Sequence, residues 1–118
     1  MEKPPGLGGN IVLYNTTTME MLRPPLKAHT WRVSSLAFSP DGRTLASAGE
    51  GGGLKLWHVV TRQLALTLSG HVGPIRGIAF SQDGSLIASS GTDGTVRLWH
   101  AANLEEAGGA TRTKKGNQ

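Results

Sequence analysis

Three side chains in the second half of the chain, His71, Ser89 and Asp93, are the types from which a nucleophilic triad is built. A hydroxyl attacks, an imidazole takes its proton, and a carboxylate orients the imidazole. That chemistry also needs an oxyanion hole and a substrate pocket. Ser89 sits in the segment 86–91, LIASSG, which is not the G-x-S-x-G turn of a nucleophile elbow. The four histidines fall into two pairs at one spacing, His29/His71 and His58/His100. With no cysteine and no H-x₃-H or H-E-x-x-H spacing, they do not form a metal-binding pattern, and neither metal nor cofactor is expected. The remaining charged feature is a basic end, where Arg112, Lys114 and Lys115 lie in the last seven residues. Three cations give a weak, salt-sensitive attraction to a phosphate backbone, so nucleic-acid binding rests on this tail alone.

The elements that must position these residues come from an internal repeat. Residues 70–100, GHVGPIRGIAFSQDGSLIASSGTDGTVRLWH, restate residues 28–58, AHTWRVSSLAFSPDGRTLASAGEGGGLKLWH, at an offset of 42 without a gap. Over 29–58 against 71–100, 13 of 30 residues are identical, and four more pairs, such as Val33 for Ile75 and Leu54 for Val96, exchange one branched aliphatic residue for another. Each repeat predicts three strands: Val33 to Phe38, Thr44 to Ala48 and Leu54 to Trp57, then Ile75 to Phe80, Leu86 to Ser90 and Val96 to Trp99. Leu64 to Leu68 supplies a fourth strand after the first set. Ser39-Pro40-Asp41-Gly42, Ser81-Gln82-Asp83-Gly84 and Thr92-Asp93-Gly94-Thr95 have the composition of tight turns. Upstream, residues 10–14 (NIVLY) predict a strand. Tyr14 lies 43 residues before Trp57, which makes this the third strand of a preceding unit. A further outer strand is expected from Met19 to Leu26, interrupted at Pro24-Pro25, because proline cannot donate to a ladder and fits only an edge. After His100 the pattern fades, and a fourth strand of the second repeat is doubtful there.

A period near 42 residues with Gly-His or Ala-His early and Trp late is the pattern of propeller blades. The chain resembles the WD40-repeat family, although both repeats read Trp-His where the family usually has Trp-Asp. The resemblance implies an all-β fold of four-stranded blades: a flexible lead at 1–9, a partial blade of outer strands at 10–27, repeats at 28–69 and 70–108, and a basic tail at 109–118. A closed ring of this kind takes roughly four to eight blades. The chain is therefore expected to be a piece of a larger propeller, or one of several copies that assemble into a ring. No apolar run approaches the ~20 residues of a membrane span, and residues 1–10 lack the apolar core of a secretory signal. A cytoplasmic location is expected, although the absence of cysteine does not itself reveal the compartment.

The resemblance also gives the triad-like residues another role. In WD40 repeats a His before the inner strand, an Asp in the turn between second and third strands, a Ser or Thr on the second strand and the Trp of the third form a buried chain of hydrogen bonds. In the second repeat these positions are His71, Asp93, Ser89 and Trp99. In the first they are His29, Ser47 and Trp57, with Gly51 where the acid would align, unless Glu50 reaches in beside it. The family's usual contact positions on the rim map to Arg32, Ser34 and Glu50, and to Pro74, Arg76 and Thr92. Trp31, which aligns with Gly73, is either packed under a loop or a contact residue. The function implied is a non-catalytic module that presents a rigid surface to other proteins. Near-consensus repeats also resemble those appended to bacterial Ser/Thr kinases, so the rival reading is a regulatory or sensing segment of a larger enzyme. The chain has no H-R-D or D-F-G motif.

Overall fold

A computed structural model describes residues 9–29, 32–51 and 53–101. These residues form nine strands in three antiparallel sheets, with no helix among them. The first sheet pairs β1 (Gly9–Tyr14) with β2 (Met21–His29). The second contains β3 (Val33–Phe38), β4 (Thr44–Gly49), β5 (Gly53–His58) and β6 (Gln63–Ser69), in that order. The third contains β7 (Ile75–Phe80), β8 (Leu86–Gly91) and β9 (Val96–His100). Each sheet is a meander, as blades of a propeller are. The segment after β9 where a fourth strand was doubtful, the basic tail and Trp31 lie outside the described residues. Gly9, expected in the lead, opens β1.

The second strand departs from expectation. β2 is not interrupted at Pro24-Pro25 but runs through both prolines to His29. The register explains how. Ile11 faces Leu26 while Leu13 faces Leu22, so Arg23, Pro24 and Pro25 together lie opposite Val12. The prolines occupy a bulge, where no ladder donor is required.

Two apolar layers hold the three sheets face to face. Between the first and second sheets lie Ile11, Leu26, Ala28, Leu45 and Trp57. Between the second and third lie Ala46, Ala48, Leu54, Leu56 and Leu68 from one side, with Ile75, Ile87 and Trp99 from the other. The alternation of each strand makes this possible. Leu45 and Trp57 point to one face of the second sheet, and Ala46, Leu54 and Leu56 to the opposite face. Alanine on β4 lets the third sheet approach closely, and Leu54, Ile75 and Ile87 are each at most 1% exposed.

The turns at one end of the blades repeat a local device. Ser39 Oγ donates to Asp41 Oδ1 at 2.6 Å, and Asp41 Oδ1 also accepts the Arg43 amide at 3.0 Å. Ser81, Asp83 and Ser85 repeat this at 2.7 and 2.9 Å, with a further bond from the Ser85 hydroxyl. The Ser85 amide and these hydroxyls pull the Asp83 pKa down to about 2. Gly42 and Gly84 close the two turns with positive φ, which glycine adopts without steric cost.

The repeats differ in how well their inner strands are covered. Ile78 and Phe80 of β7 pack against the layer between the second and third sheets. Their equivalents on β3, Leu36 and Phe38, are 50% and 54% exposed. The second sheet lends four strands to its neighbour, whereas the described first sheet has two, which cover Val33 of β3 but leave Leu36 and Phe38 open. Tyr14 on β1 is also exposed. A surface with this much apolar area favours association. The 118-residue chain is expected to sediment as oligomers or aggregates, and Leu36→Ser with Phe38→Ser to shift it toward monomer. A monomeric, cooperatively unfolding parent would contradict this.

Candidate functional site

The third sheet places the triad-like residues in one continuous chain of hydrogen bonds. Trp99 on β9 donates its indole Nε1–H to Ser89 Oγ on β8 at 3.1 Å. Ser89 Oγ lies 2.8 Å from His71 Nε2. His71 Nδ1 lies 3.2 and 3.3 Å from the two oxygens of Asp93. The proton positions follow from the carboxylate. The Asp93 carboxylate can only accept, so the neutral His71 ring holds its proton on Nδ1 and leaves Nε2 to accept the Ser89 O–H, while the Ser89 oxygen accepts the indole N–H.

Asp93 is held from several sides. Thr95 Oγ1 donates to Oδ1 at 2.7 Å, the Val72 amide to Oδ2 at 2.9 Å and the Thr95 amide to Oδ1 at 3.1 Å. The Thr95 hydroxyl leads in holding the Asp93 pKa well below its ordinary value, followed by the Val72 amide and His71. Thr95 was not singled out from the sequence. Its signal was available, because Asp-Gly-Thr sets a hydroxyl two residues after an aspartate, the spacing of a local side-chain turn. Gly91 leaves the room these groups need: a Cβ there would strike the His71 ring and approach Asp93 Oδ1 to 2.8 Å.

The second sheet contains a shortened copy. Trp57 Nε1 donates to Ser47 Oγ at 2.9 Å, and Ser47 Oγ lies 2.9 Å from His29 Nε2. Among the described residues no hydrogen-bond partner meets His29 Nδ1. Gly51 stands in the place of Asp93, and Glu50 is exposed, making a backbone bond from its amide to Arg32 O. Lys55 occupies a nearby position, with Nζ donating to Ala28 O at 2.5 Å. Burial, followed by the Lys55 charge, lowers the His29 pKa below its ordinary 6.5, while an interaction with the Ser47 backbone works the other way.

This arrangement is suited to holding strands together and poorly suited to attack. Ser89 and Ser47 are 1% and 0% exposed, and each oxygen is already saturated by an indole and an imidazole. A substrate carbonyl has no route to either. The second histidine pair does not join these chains. His58 is exposed at the end of β5, and His100 is half-buried at the end of β9. No group of three or more metal-ligating side chains occurs among the described residues.

The proposed rim residues cluster at the opposite end from the Ser-x-Asp-Gly turns. Arg32 lies beside Glu50 and Pro74 beside Thr92, joined by backbone bonds of 3.0 Å in each case. Both inner strands carry a bulge at one repeat position. Val33 faces Gly49 while Ser35 faces Ala48, leaving Ser34 extra; Ile75 faces Gly91 while Gly77 faces Ser90, leaving Arg76 extra. Arg32, Glu50, Pro74, Arg76 and Thr92 are exposed. Ser34 is exposed as well, but its hydroxyl is engaged, donating to Ala48 O at 3.1 Å and to Ile75 O at 2.6 Å. It fastens the second sheet to the third.

The family model of the WD domain, G-beta repeat, matches residues 21–58 and 62–100. The chain belongs to the WD40-repeat family. The two matched spans run through β2–β5 and β6–β9, so each family repeat begins on the outer strand of one sheet and ends on the third strand of the next. That division is offset from the sheet-by-sheet one at 28–69 and 70–108. The chain is similar to periodic tryptophan protein 2 homolog of Dictyostelium discoideum, with 34% identity over 43 residues, 36% of this chain and 5% of the relative. It is also similar to protein hir1 of Schizosaccharomyces pombe, with 31% identity over 65 residues, 55% of this chain and 7% of the relative. The chain thus spans a small fraction of the length of these relatives. No helix among the described residues is long and apolar enough to cross a membrane.

Two predictions follow from the hydrogen-bond chains. Ser89→Ala strands the Trp99 indole and His71 Nε2 in a buried setting, at a cost of about 1–3 kcal/mol. Equilibrium denaturation should show it as a lowered midpoint, with Ser47→Ala behaving alike. Asp93→Ala should also lower the midpoint, while Gly51→Asp should raise it by supplying the first blade's acceptor; an unchanged midpoint for Asp93→Ala would contradict the network. The pH dependence has two parts. The His29 pKa is lower in the folded chain than in the unfolded one, so its contribution is complete above 6.5 and shrinks as pH falls below that value. The Asp93 pKa is also lowered, so its contribution is complete above 3.8 and lost at more acid pH. Thermal midpoints measured against pH should fall in both ranges, and Asp93→Asn should diminish the second fall.

Proposed function

We propose that this chain works as a protein-interaction module, whose contact face is the rim carrying Arg32, Glu50, Pro74, Arg76 and Thr92. The supporting observation is the bulge shared by β3 and β7. A bulge leaves one residue out of the ladder and re-aims its side chain, and on β7 the extra residue is the exposed Arg76. Rigid sheets fix these positions while leaving them accessible. Arg32 and Arg76 lie on neighbouring blades and offer planar donors suited to a carboxylate. Arginine is also enriched among interface hot spots. Ser34 belongs to the scaffold in this reading, since its hydroxyl is used between sheets. Arg43 and Arg62 sit in turns at the other end of the blades.

The test compares two double variants in a propeller that contains this chain, measured by calorimetry or surface binding to an identified partner. Arg32→Ala with Arg76→Ala should weaken binding by on the order of 2 kcal/mol. Arg43→Ala with Arg62→Ala should leave it unchanged. The reverse ranking would place the contact face at the opposite end.

A further inference from the structure

The repeat sets one carboxylate in the same turn of each complete blade, Asp41 in Ser39-Pro40-Asp41-Gly42 and Asp83 in Ser81-Gln82-Asp83-Gly84. The fold brings these two turns together, so that a Cβ on Gly84 would lie 3.5 Å from Pro40 Cδ. Beside them opens a cavity of about 340 Å³ between the second and third sheets, and both aspartates line it. Its floor is apolar. Leu56 of β5 and Ile87 of β8 are buried there, and half-buried Phe80 at the end of β7 lines the same space. Asp41 and Asp83 are exposed, at its opening. The wall also includes Ala101, whose amide donates to Ser85 O at 2.7 Å.

Each turn uses only one oxygen of its carboxylate. Asp41 Oδ1 accepts the Ser39 hydroxyl and the Arg43 amide, and Asp83 Oδ1 accepts the Ser81 hydroxyl and both the amide and hydroxyl of Ser85. Among the described residues, Oδ2 of each accepts no hydrogen bond and neither carboxylate has an ion-pair partner. Both are held ionised. The Ser39 hydroxyl leads in lowering the Asp41 pKa, and the Ser85 amide in lowering that of Asp83. The junction therefore sets two negative charges over an apolar floor, on a chain whose net charge is +4. An anion would be repelled here. A purely apolar ligand would leave the carboxylates unanswered, and a bare ion would gain nothing from the floor. What fits is a long apolar stem with a cationic head, which buries the stem and keeps the charge at the surface. Ligand cavities run from about 300 to 1,000 Å³, so this one has the size for a single side chain.

We propose that this cavity receives an arginine side chain of a partner protein. The guanidinium bridges Asp41 and Asp83, since its planar fork can donate to two carboxylates at once. Its stem lies over Leu56 and Ile87, and Phe80 offers an aromatic ring to the cation. The site is separate from the rim carrying Arg32 and Arg76, lies at the opposite end of the blades and does not rest on the reading of that rim.

The test uses a propeller that contains this chain, with N-acetyl-arginine amide as the probe and the isoleucine methyl resonances as the readout. Ile87 should shift saturably while Ile75, at the other end of β7 and β8, stays unmoved. The affinity should fall as salt is raised. Asp41→Asn and Asp83→Asn should each weaken it about tenfold, because the amide keeps the turn's acceptor oxygen and loses the charge. Phe80→Leu keeps an apolar floor and should weaken it by a smaller factor. N-acetyl-citrulline amide, the neutral counterpart, should give no response. Absence of a saturable Ile87 shift, an equal shift at Ile75, an equal response to the citrulline amide or an undiminished response in both aspartate variants would each overturn the proposal. An equal response to N-acetyl-lysine amide would overturn the assignment to a guanidinium. A response that appears only when Arg112, Lys114 and Lys115 are replaced by glutamine would make the chain's own basic end the occupant and overturn the assignment to a partner.

Discussion

Each complete blade is organised by one oxygen. Ser47 and Ser89 sit at the centre of their sheets with no solvent contact to speak of, and each must satisfy an indole that can only donate. In the third sheet the Asp93 carboxylate sets the direction of the rest: His71 keeps its proton on Nδ1, facing the turn between β8 and β9, and the Ser89 proton goes to Nε2. A serine on β4, a tryptophan on β5 and a histidine before β3 are thereby locked in mutual register. Buried polar chains of this kind are costly when any member is missing, so they specify one arrangement of the blade where apolar packing alone would permit several.

The packing around these chains is nearly the same in both repeats, yet the consequences differ. Ile75, Ile87 and Trp99 meet a full neighbouring sheet. Val33, Leu45 and Trp57 meet a two-stranded one. Leu45 and Trp57 are covered because β1 and β2 lie over them, whereas Leu36 and Phe38 on the inner strand are left half open. The exposure of these two residues reflects the extent of the adjacent sheet, since equivalent side chains on β7 are packed. A blade's stability in this architecture is borrowed in part from its neighbours.

The two ends of the blades are built for different tasks. At one end Ser39-Asp41 and Ser81-Asp83 close turns on themselves, and one oxygen of each carboxylate is spent on local amides and hydroxyls. At the other end the exposed arginines lie beside the bulges. Asp93 closes its turn, and Gly51 stands at the equivalent position of the other repeat.

The sequence alone determined the period, the order of strands and the pairing of residues within each blade. These are local properties: alternation sets the faces, Asp-Gly and Pro-Asp-Gly set the turns, and a 42-residue offset aligns His71, Ser89, Asp93 and Trp99 with their counterparts. The boundaries of β3 and β7 follow from that pattern, those of β4, β5 and β6 to within one residue, and the family was legible in it. What the tertiary structure decided is whatever depends on a second strand or sheet. The bulges at Ser34 and Arg76 arise from register against β4 and β8. The path of β2 through Pro24-Pro25 depends on β1 accommodating it opposite Val12. Ser34 reads in sequence as a surface polar residue, and only the approach of β7 gives its hydroxyl the Ile75 carbonyl. Thr95 joins the carboxylate once its turn is folded over His71. In each case the deciding partner lies on another strand, and pattern along one strand carries no record of which groups a neighbour will bring within hydrogen-bonding distance.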